Sequence, residues 1–376
     1  MKIAVNTRFL IKDRLEGIGW FTYETMKRIT KDHPEHEFLF LFDRPFHSEF
    51  VFEKNITPLE VFPPARHPLL WFTWFELSLP LVFQKHKPDI FLSTDGFLSL
   101  SVKTPSIAVI HDINYEHIEA GMPWMVKTYY KNLMPRYAQR ANRILTVSEF
   151  SKSDISNTYN INPEKIDLTC NGAGNAYVPL NETEKNQVRQ KFSGGDSYFV
   201  FVGSLHPRKN VARLLMAFDT FRKQTKEKIK LLIVGDRMFN TSQIETVYSD
   251  LTHKNDVVFT GRLSREDLTQ VTAAALSLVF VPCFEGFGIP IVEAMKCGVP
   301  VITSNVTSMP EVAGNAALLA DPYSVLSISN AMTKIAENPS LRNELSAKGL
   351  ERANFFTWEK AAQAVWDSIE KLSGSL

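Results

Sequence analysis

Short runs of uninterrupted apolar, β-rich residues alternate with longer stretches of helical periodicity, and after a polar interval the alternation starts again. The first set is Ile3–Asn6, Phe38–Phe42, Ile90–Ser93, Ile107–Ile110, Ile144–Val147 and Ile166–Thr169. The second is Tyr198–Val202, Lys230–Val234, Val257–Phe259, Leu278–Val281, Val299–Thr303 and Ala317–Leu319. A strand that is apolar on both faces must be covered on both, so such runs separated by helices predict a parallel α/β sheet with helices on either side. Two sets predict two doubly wound, Rossmann-like domains, 1–178 and 198–356, facing across a cleft. The polar segment 179–197, with Asn181-Glu182-Thr183-Glu184-Lys185 and Ser193-Gly194-Gly195-Asp196, reads as a linker with one short helix. A last helix within 357–376, N-capped by Thr357 and apolar along Ala361, Ala362, Val365, Trp366 and Ile369, is expected to pack back on the first domain.

Ligands of such sheets bind beyond the carboxyl ends of the strands. In the first half those ends carry Gly17-Ile18-Gly19, Asp95-Gly96, His111-Asp112, Ser148-Glu149 and Asn171-Gly172. In the second they carry Gly203, Gly235-Asp236, Gly261-Arg262, Glu285 and Ser304. The stretch Phe284 to Glu293 (FEGFGIPIVE) is the most distinctive of them, because it follows a buried strand and opens a helix over Ile291–Cys297 with Pro290 at its first position. Unpaired N–H groups and the helix dipole make such a start an anion site. Glu285 and Glu293 would repel a phosphate beside them, so they are read as facing neutral hydroxyls at either end of a phosphate-containing ligand. In the alternative reading Glu293 is a first-turn carboxylate and Gly286 and Gly288 only permit a tight turn.

Composition narrows the chemistry. A chain that is 44% hydrophobic and 22% charged is a soluble globular protein, and a net charge of +1 argues against nucleic acid as a partner. Cys170, Cys283 and Cys297 are too scattered for a disulfide framework or a Cys-x-x-Cys metal site, which points to a reducing compartment. Met1–Asn6 runs into a strand with no charged-then-apolar leader pattern, so a cytoplasmic protein is expected. Pro68 to Phe83 is interrupted by Glu76 and Pro80 and is too short to span a bilayer.

Familiar motifs are absent: no third glycine completes a dinucleotide fingerprint, and there is no GxxxxGK[ST], HExxH or GxSxG. There is also no Asp-x-Asp to hold a divalent metal on a diphosphate. Without a metal, diphosphate charge has to be met by helix ends and cations, and Arg208-Lys209 precede the helix that opens at Val211. Adjacent Arg-Lys is also a common solvated pair. His111 ends a strand and is either a substrate or proton-transfer group or a hydrogen-bonded core histidine.

Together these segments resemble the retaining glycosyltransferases of the GT-B fold, specifically glycosyltransferase family 4 ("group 1"). The resemblance is carried by Glu285-x7-Glu293 within FEGFGIPIVEAMKCGVPVITSNVTSMPEV, by FVGSLHPRKNVARLLMAF (201–218), FTGRLSREDL (259–268), IHDINYEH (110–117), TVSEFSKSDI (146–155) and FFTWEKAA (355–362). It covers nearly the whole chain and is weakest between Phe46 and Pro88. It implies that Glu285 contacts donor-sugar hydroxyls and Glu293 the ribose. Backbone N–H groups of Gly286, Phe287, Gly288 and Ile289 would hold sugar and phosphates, with Gly203 in the adjoining loop. Arg208 and Lys209 would neutralise the leaving diphosphate, while Arg262 and Leu263 lie where the family contacts the base. Gly17 and Gly19 resemble the first-domain glycine loop that approaches the diphosphate, and His111 matches the histidine beside the donor sugar.

One departure stands out: Ser204 occupies the usual arginine position and Arg208-Lys209-Asn210 are consecutive, as in a subgroup associated with mannosyl or similar hexosyl transfer. Which cation meets which phosphate is open. The resemblance thus implies metal-independent, retaining transfer of a hexose from a GDP- or UDP-sugar to a glycan or glycolipid acceptor in surface polysaccharide synthesis, completed by hinge closure between domains. It implies no cofactor beyond the donor. The alternatives are a nucleotide-sugar epimerase or hydrolase on the same fold, and a silent nucleotide-sugar-binding subunit. Trp71, Phe72, Trp74 and Phe75 are either helix core or a platform for a lipid-linked acceptor or the inner face of the membrane.

Overall fold

The computed structural model describes residues 1–118, 122–236 and 242–374. It comprises two compact units, Met1–Asn171 with Trp358–Leu376, and Gly172–Thr357. The first contains strands β1 (Lys2–Asn6), β2 (Glu37–Phe42), β3 (Ile56–Glu60), β4 (Ile90–Ser93), β5 (Ser106–Val109), β6 (Arg143–Thr146) and β7 (Ile166–Leu168), ordered β3-β2-β1-β4-β5-β6-β7. Every pairing is parallel. The period-two alternation of the strands sends Ala4, Leu39, Leu41, Phe91, Ala108 and Ile144 into one buried layer and Ile3, Val5, Phe38, Phe40, Leu92 and Val109 into the other.

The terminal helix, Trp358–Ser373, belongs to this second layer through Trp358, Ala361, Val365, Trp366 and Ile369. Burying the larger of these side chains, Trp358, Val365, Trp366 and Ile369, contributes about 2 kcal/mol each. That outweighs its polar ties, the Ser368 hydroxyl to Asp167 at 2.8 Å and Glu359 to Arg28 at 2.7 Å, of which the second is exposed. β3 was not legible in the sequence. Its Ile-Thr-Pro-Leu-Glu carries a proline with no N–H to donate, which is tolerated because β3 is an edge strand bonded only to β2.

The second unit contains β8 (Ser197–Val202), β9 (Ile229–Val234), β10 (Val257–Gly261), β11 (Ser277–Phe280), β12 (Val301–Ser304) and β13 (Ala317–Ala320), ordered β10-β9-β8-β11-β12-β13 and also parallel. The segment 179–197 forms a helix of this unit, Glu182–Ser193, rather than a free linker. Asn181 and Glu184 close its start as a capping box at 3.0 and 2.8 Å, Gly194 ends it at φ 66°, and Lys191 reaches Asp267 at 2.6 Å. The chain passes between units at Asn171–Gly172 and Thr357–Trp358.

The aromatic cluster of residues 71–75 divides. Trp74 and Phe75 are wholly buried, and Trp71 donates its indole N–H to the Ala65 carbonyl at 2.8 Å. Phe72 is 50% exposed, as are Leu77 at 58% and Leu81 at 67% further along the same run of helix. Among the described residues no helix is long and apolar enough to cross a membrane.

Candidate active site

Each sheet reverses its winding once, between β1 and β4 in the first unit and between β8 and β11 in the second. The crevice at such a reversal is where doubly wound sheets take ligands. In the second unit the loops that leave β8 and β11 are locked together there. After β8 the backbone crosses close to its neighbour: a Cβ on Gly235 would lie 1.9 Å from the Gly203 carbonyl oxygen, and Gly203 N–H bonds Val234 at 2.9 Å. A short 3-10 turn, Pro207–Lys209, follows, and then Asn210 at φ 64° starts the helix Val211–Gln224. Asparagine tolerates this left-handed backbone. Its side chain donates to the Val281 and Pro322 carbonyls at 3.0 and 2.7 Å, and Cys283 N–H donates to the Arg208 carbonyl at 2.8 Å.

That lock brings the basic turn onto the acid. Arg208 Nη1 donates to Glu285 Oε2 at 2.6 Å and to the Phe284 carbonyl at 3.3 Å. Lys209 Nζ bonds the same Oε2 and lies 4.8 Å from the Phe280 ring centroid. Burial alone would raise the Glu285 carboxyl; the two cations outweigh it and hold the group below its ordinary range, ionised. Oε1 accepts no protein hydrogen bond among the described residues. His206 Nδ1 accepts from Arg208 N–H at 3.2 Å, and burial together with Arg208 and Lys209 pushes this imidazole down to about 4, so it is neutral. The sequence assigned the cations to phosphate and Glu285 to hydroxyls; the structure joins all three through one carboxylate oxygen.

Beyond Glu285, Gly288 at φ 89° caps the helix Ile289–Lys296, which starts two residues earlier than expected and has Pro290 in its first turn. A Cβ on Gly288 would lie 2.8 Å from Met309 Cε, and the Ser308 hydroxyl fixes the Glu285 carbonyl at 2.8 Å. Phe287 is buried against Phe356, their centroids 5.4 Å apart.

Glu293 has neighbours the sequence did not reveal. Burial raises its carboxyl to about 7, against the opposing effects of a Tyr177 hydrogen bond and the Arg265 charge. Lys296 Nζ ties the intervening strap by bonding the carbonyls of Ala173 and Gly174 at 3.2 and 3.1 Å. Tyr177 is over 100 positions from Glu293 and sits in no motif, whereas Arg265 lay inside the quoted FTGRLSREDL stretch. Exposed Arg262 and half-buried Leu263 follow β10 at the sheet edge, with β9 separating that strand from β8.

His111, Gly17 and Gly19 lie in the other unit. His111 Nε2–H donates to the Thr94 carbonyl at 3.0 Å, and the ring meets Phe21 edge-on at 5.0 Å. Burial pushes its pKa below the ordinary value despite the Thr94 bond and the Asp112 and Asp95 charges, leaving Nδ1 as the acceptor of a neutral ring. Gly17 and Gly19 form the first turn of the helix Gly17–Asp32, where a Cβ on Gly19 would lie 2.7 Å from the Phe9 carbonyl oxygen. Among the described residues no three His, Cys, Asp or Glu side chains gather as metal ligands.

Comparison with known proteins identifies this framework. The profile described as "Glycosyl transferases group 1" matches residues 182–352, and "Glycosyltransferase Family 4" matches 15–173. The chain is 34% identical over 260 residues to the O-antigen chain mannosyltransferase B of Escherichia coli, covering 68% of this chain and 67% of that one. It is 29% identical over 273 residues to the O-antigen chain mannosyltransferase RfbU of Salmonella typhimurium, covering 72% of each. Among solved structures, sucrose-phosphate synthase from Thermosynechococcus elongatus superposes with a TM-score of 0.82 at 16% identity over 100% of both chains. The chain belongs to glycosyltransferase family 4 and has its GT-B fold of two Rossmann-like domains.

Proposed function

We propose that this glycosyltransferase moves a hexose, with mannose favoured, from a GDP- or UDP-sugar to a glycan or lipid-linked glycan acceptor in surface polysaccharide synthesis, with retention and without a metal. The observation that carries the reading is the convergence of Arg208 and Lys209 on Glu285 at the β8/β11 reversal. The mannosyl preference leans on the two O-antigen mannosyltransferase relatives and on the consecutive Arg208-Lys209-Asn210.

In this reading Glu285 is kept ionised and aimed by its two cations, and its Oε1 accepts from donor-sugar hydroxyls. The two cations offset the charge of the diphosphate, and their charge grows in value as the nucleotide leaves. N–H groups of Gly286 to Ile289 hold sugar and phosphate oxygens at the helix start, beside Gly203. Glu293 takes the ribose hydroxyls, and Arg262 and Leu263 the base. For His111, Gly17 and Gly19 the support is the family resemblance. With no side chain assigned as nucleophile, the donor phosphate oxygen takes the acceptor proton as the glycosidic bond to the nucleotide breaks and the new bond forms on the same face. The protein orients the groups and stabilises charge.

A metal-free panel of UDP- and GDP-sugars, read by nucleotide release with and without mannose-terminated acceptors, tests the reading. Acceptor-dependent release with an α-anomeric product by NMR is expected. Silence across the panel, or release indifferent to acceptor, refutes transfer.

A further inference from the structure

The winding reversal of the first unit, between β1 and β4, holds a polar group that no role above uses. Arg8 follows β1 and Asp95 follows β4; they are 5% and 8% exposed, and Arg8 Nε bonds Asp95 Oδ2 at 2.5 Å. Asp95 Oδ1 accepts from Phe97 N–H and the Ser93 hydroxyl, each at 3.1 Å, so the carboxylate is fully held. The guanidinium is not. It lies 4.3 Å from the Phe97 ring centroid, yet among the described residues neither terminal nitrogen has a hydrogen-bond acceptor, and neither is sealed from solvent.

Burying a guanidinium with its fork unpaired costs free energy unless something else accepts from it. Tyr130, on the helix Trp124–Arg140, flanks the same Phe97 ring with centroids 5.6 Å apart, and among the described residues its hydroxyl likewise has no hydrogen-bond partner. Arg8, Asp95 and Asp112 all act electrostatically on that hydroxyl. One cation against two carboxylates leaves the pocket with no surplus positive charge, which disfavours a phosphate or carboxylate. Phe97 itself is only 3% exposed, so the guanidinium and the half-buried Tyr130 hydroxyl are the groups on offer, and such polar groups suit the hydroxyls of a neutral sugar.

We propose that Arg8, positioned by Asp95, and Tyr130 form a subsite that binds a neutral sugar residue of the acceptor. This rests on the transferase reading, and direct sugar binding separates the two. The test is saturation-transfer NMR of the full chain with methyl α-D-mannopyranoside, using the wild type, Arg8→Lys and Tyr130→Phe, with nucleotide binding followed alongside. Arg8→Lys keeps the charge opposite Asp95 but loses the fork; should it not fold, Tyr130→Phe decides. The expected result is a sugar signal in the wild type that falls at least fivefold in each folded variant, with nucleotide affinity within twofold. No sugar signal in the wild type, an unchanged signal in the variants, or inorganic phosphate binding that Arg8→Lys abolishes would overturn the proposal. Sugar binding without turnover of any nucleotide sugar would instead count against the transferase reading alone.

Discussion

Glu285 and Arg208, whose loops leave adjacent central strands, meet at 2.6 Å through a carboxylate oxygen that also binds Lys209. The pair makes residues 77 positions apart in the chain act as one unit: remove the acid and two cations face each other; remove a cation and a buried carboxylate loses half its compensation. Glu285→Ala and Arg208→Ala are therefore expected to lower transfer about 100-fold or more, on the order of 3 kcal/mol of transition-state stabilisation. Steady-state rates near wild type in a purified assay would remove these roles.

Glu293 gives a pH signature of the opposite sign to that of the ion-paired Glu285. Its folded pKa, raised from 4.5 to about 7, means the folded state keeps a proton that the unfolded chain releases. Its contribution is therefore intact below about 4.5 and is lost as pH rises through about 7, by up to about 3 kcal/mol. Glu293→Gln should melt higher than wild type at pH 8 and close to it at pH 4.5. A difference independent of pH would show that burial does not govern this group.

Two glycines separate backbone freedom from close approach. At Gly261, φ 67°, nothing lies within 4 Å of an added Cβ, so Gly261→Ala should cost about 1 kcal/mol from the left-handed backbone alone. At Gly235 the added atom would meet the Gly203 carbonyl at 1.9 Å, so Gly235→Ala must push the β8 and β9 loops apart and lower stability several-fold more. Denaturant melts of the two variants check the order; equal losses would contradict the packing.

Metal independence predicts that exhaustive treatment with EDTA leaves transfer within twofold of the untreated rate. A loss restored by added magnesium or manganese would refute it.

Phe72, Leu77 and Leu81 are exposed apolar side chains, separate from the buried Trp74 and Phe75, and the proposal of a lipid-linked acceptor predicts that they meet a lipid surface. Co-sedimentation with anionic liposomes is expected, reduced several-fold in Leu77→Ser/Leu81→Ser while melting is little changed. No sedimentation of the wild type would assign these side chains to ordinary surface.

The sequence by itself determined the two parallel sheets, because strands such as Phe38–Phe42 and Leu278–Val281 are apolar on both faces and only helices on both sides can cover them. It also marked the loops in which chemistry would sit, since Gly288, Asn210 and Pro290 carry local backbone requirements that a reader can see one residue at a time. Local pattern could not show β3, whose proline is acceptable only at an edge, or that the short helix expected within 179–197 belongs to the second unit. Nor could it pair side chains far apart in the chain. Whether Arg208 meets Glu285, whether Tyr177 reaches Glu293, and whether Arg8 and Tyr130 flank Phe97 depend on strand order and on which loops a winding reversal brings together. That order is a global property of packing, and only the tertiary structure decided it.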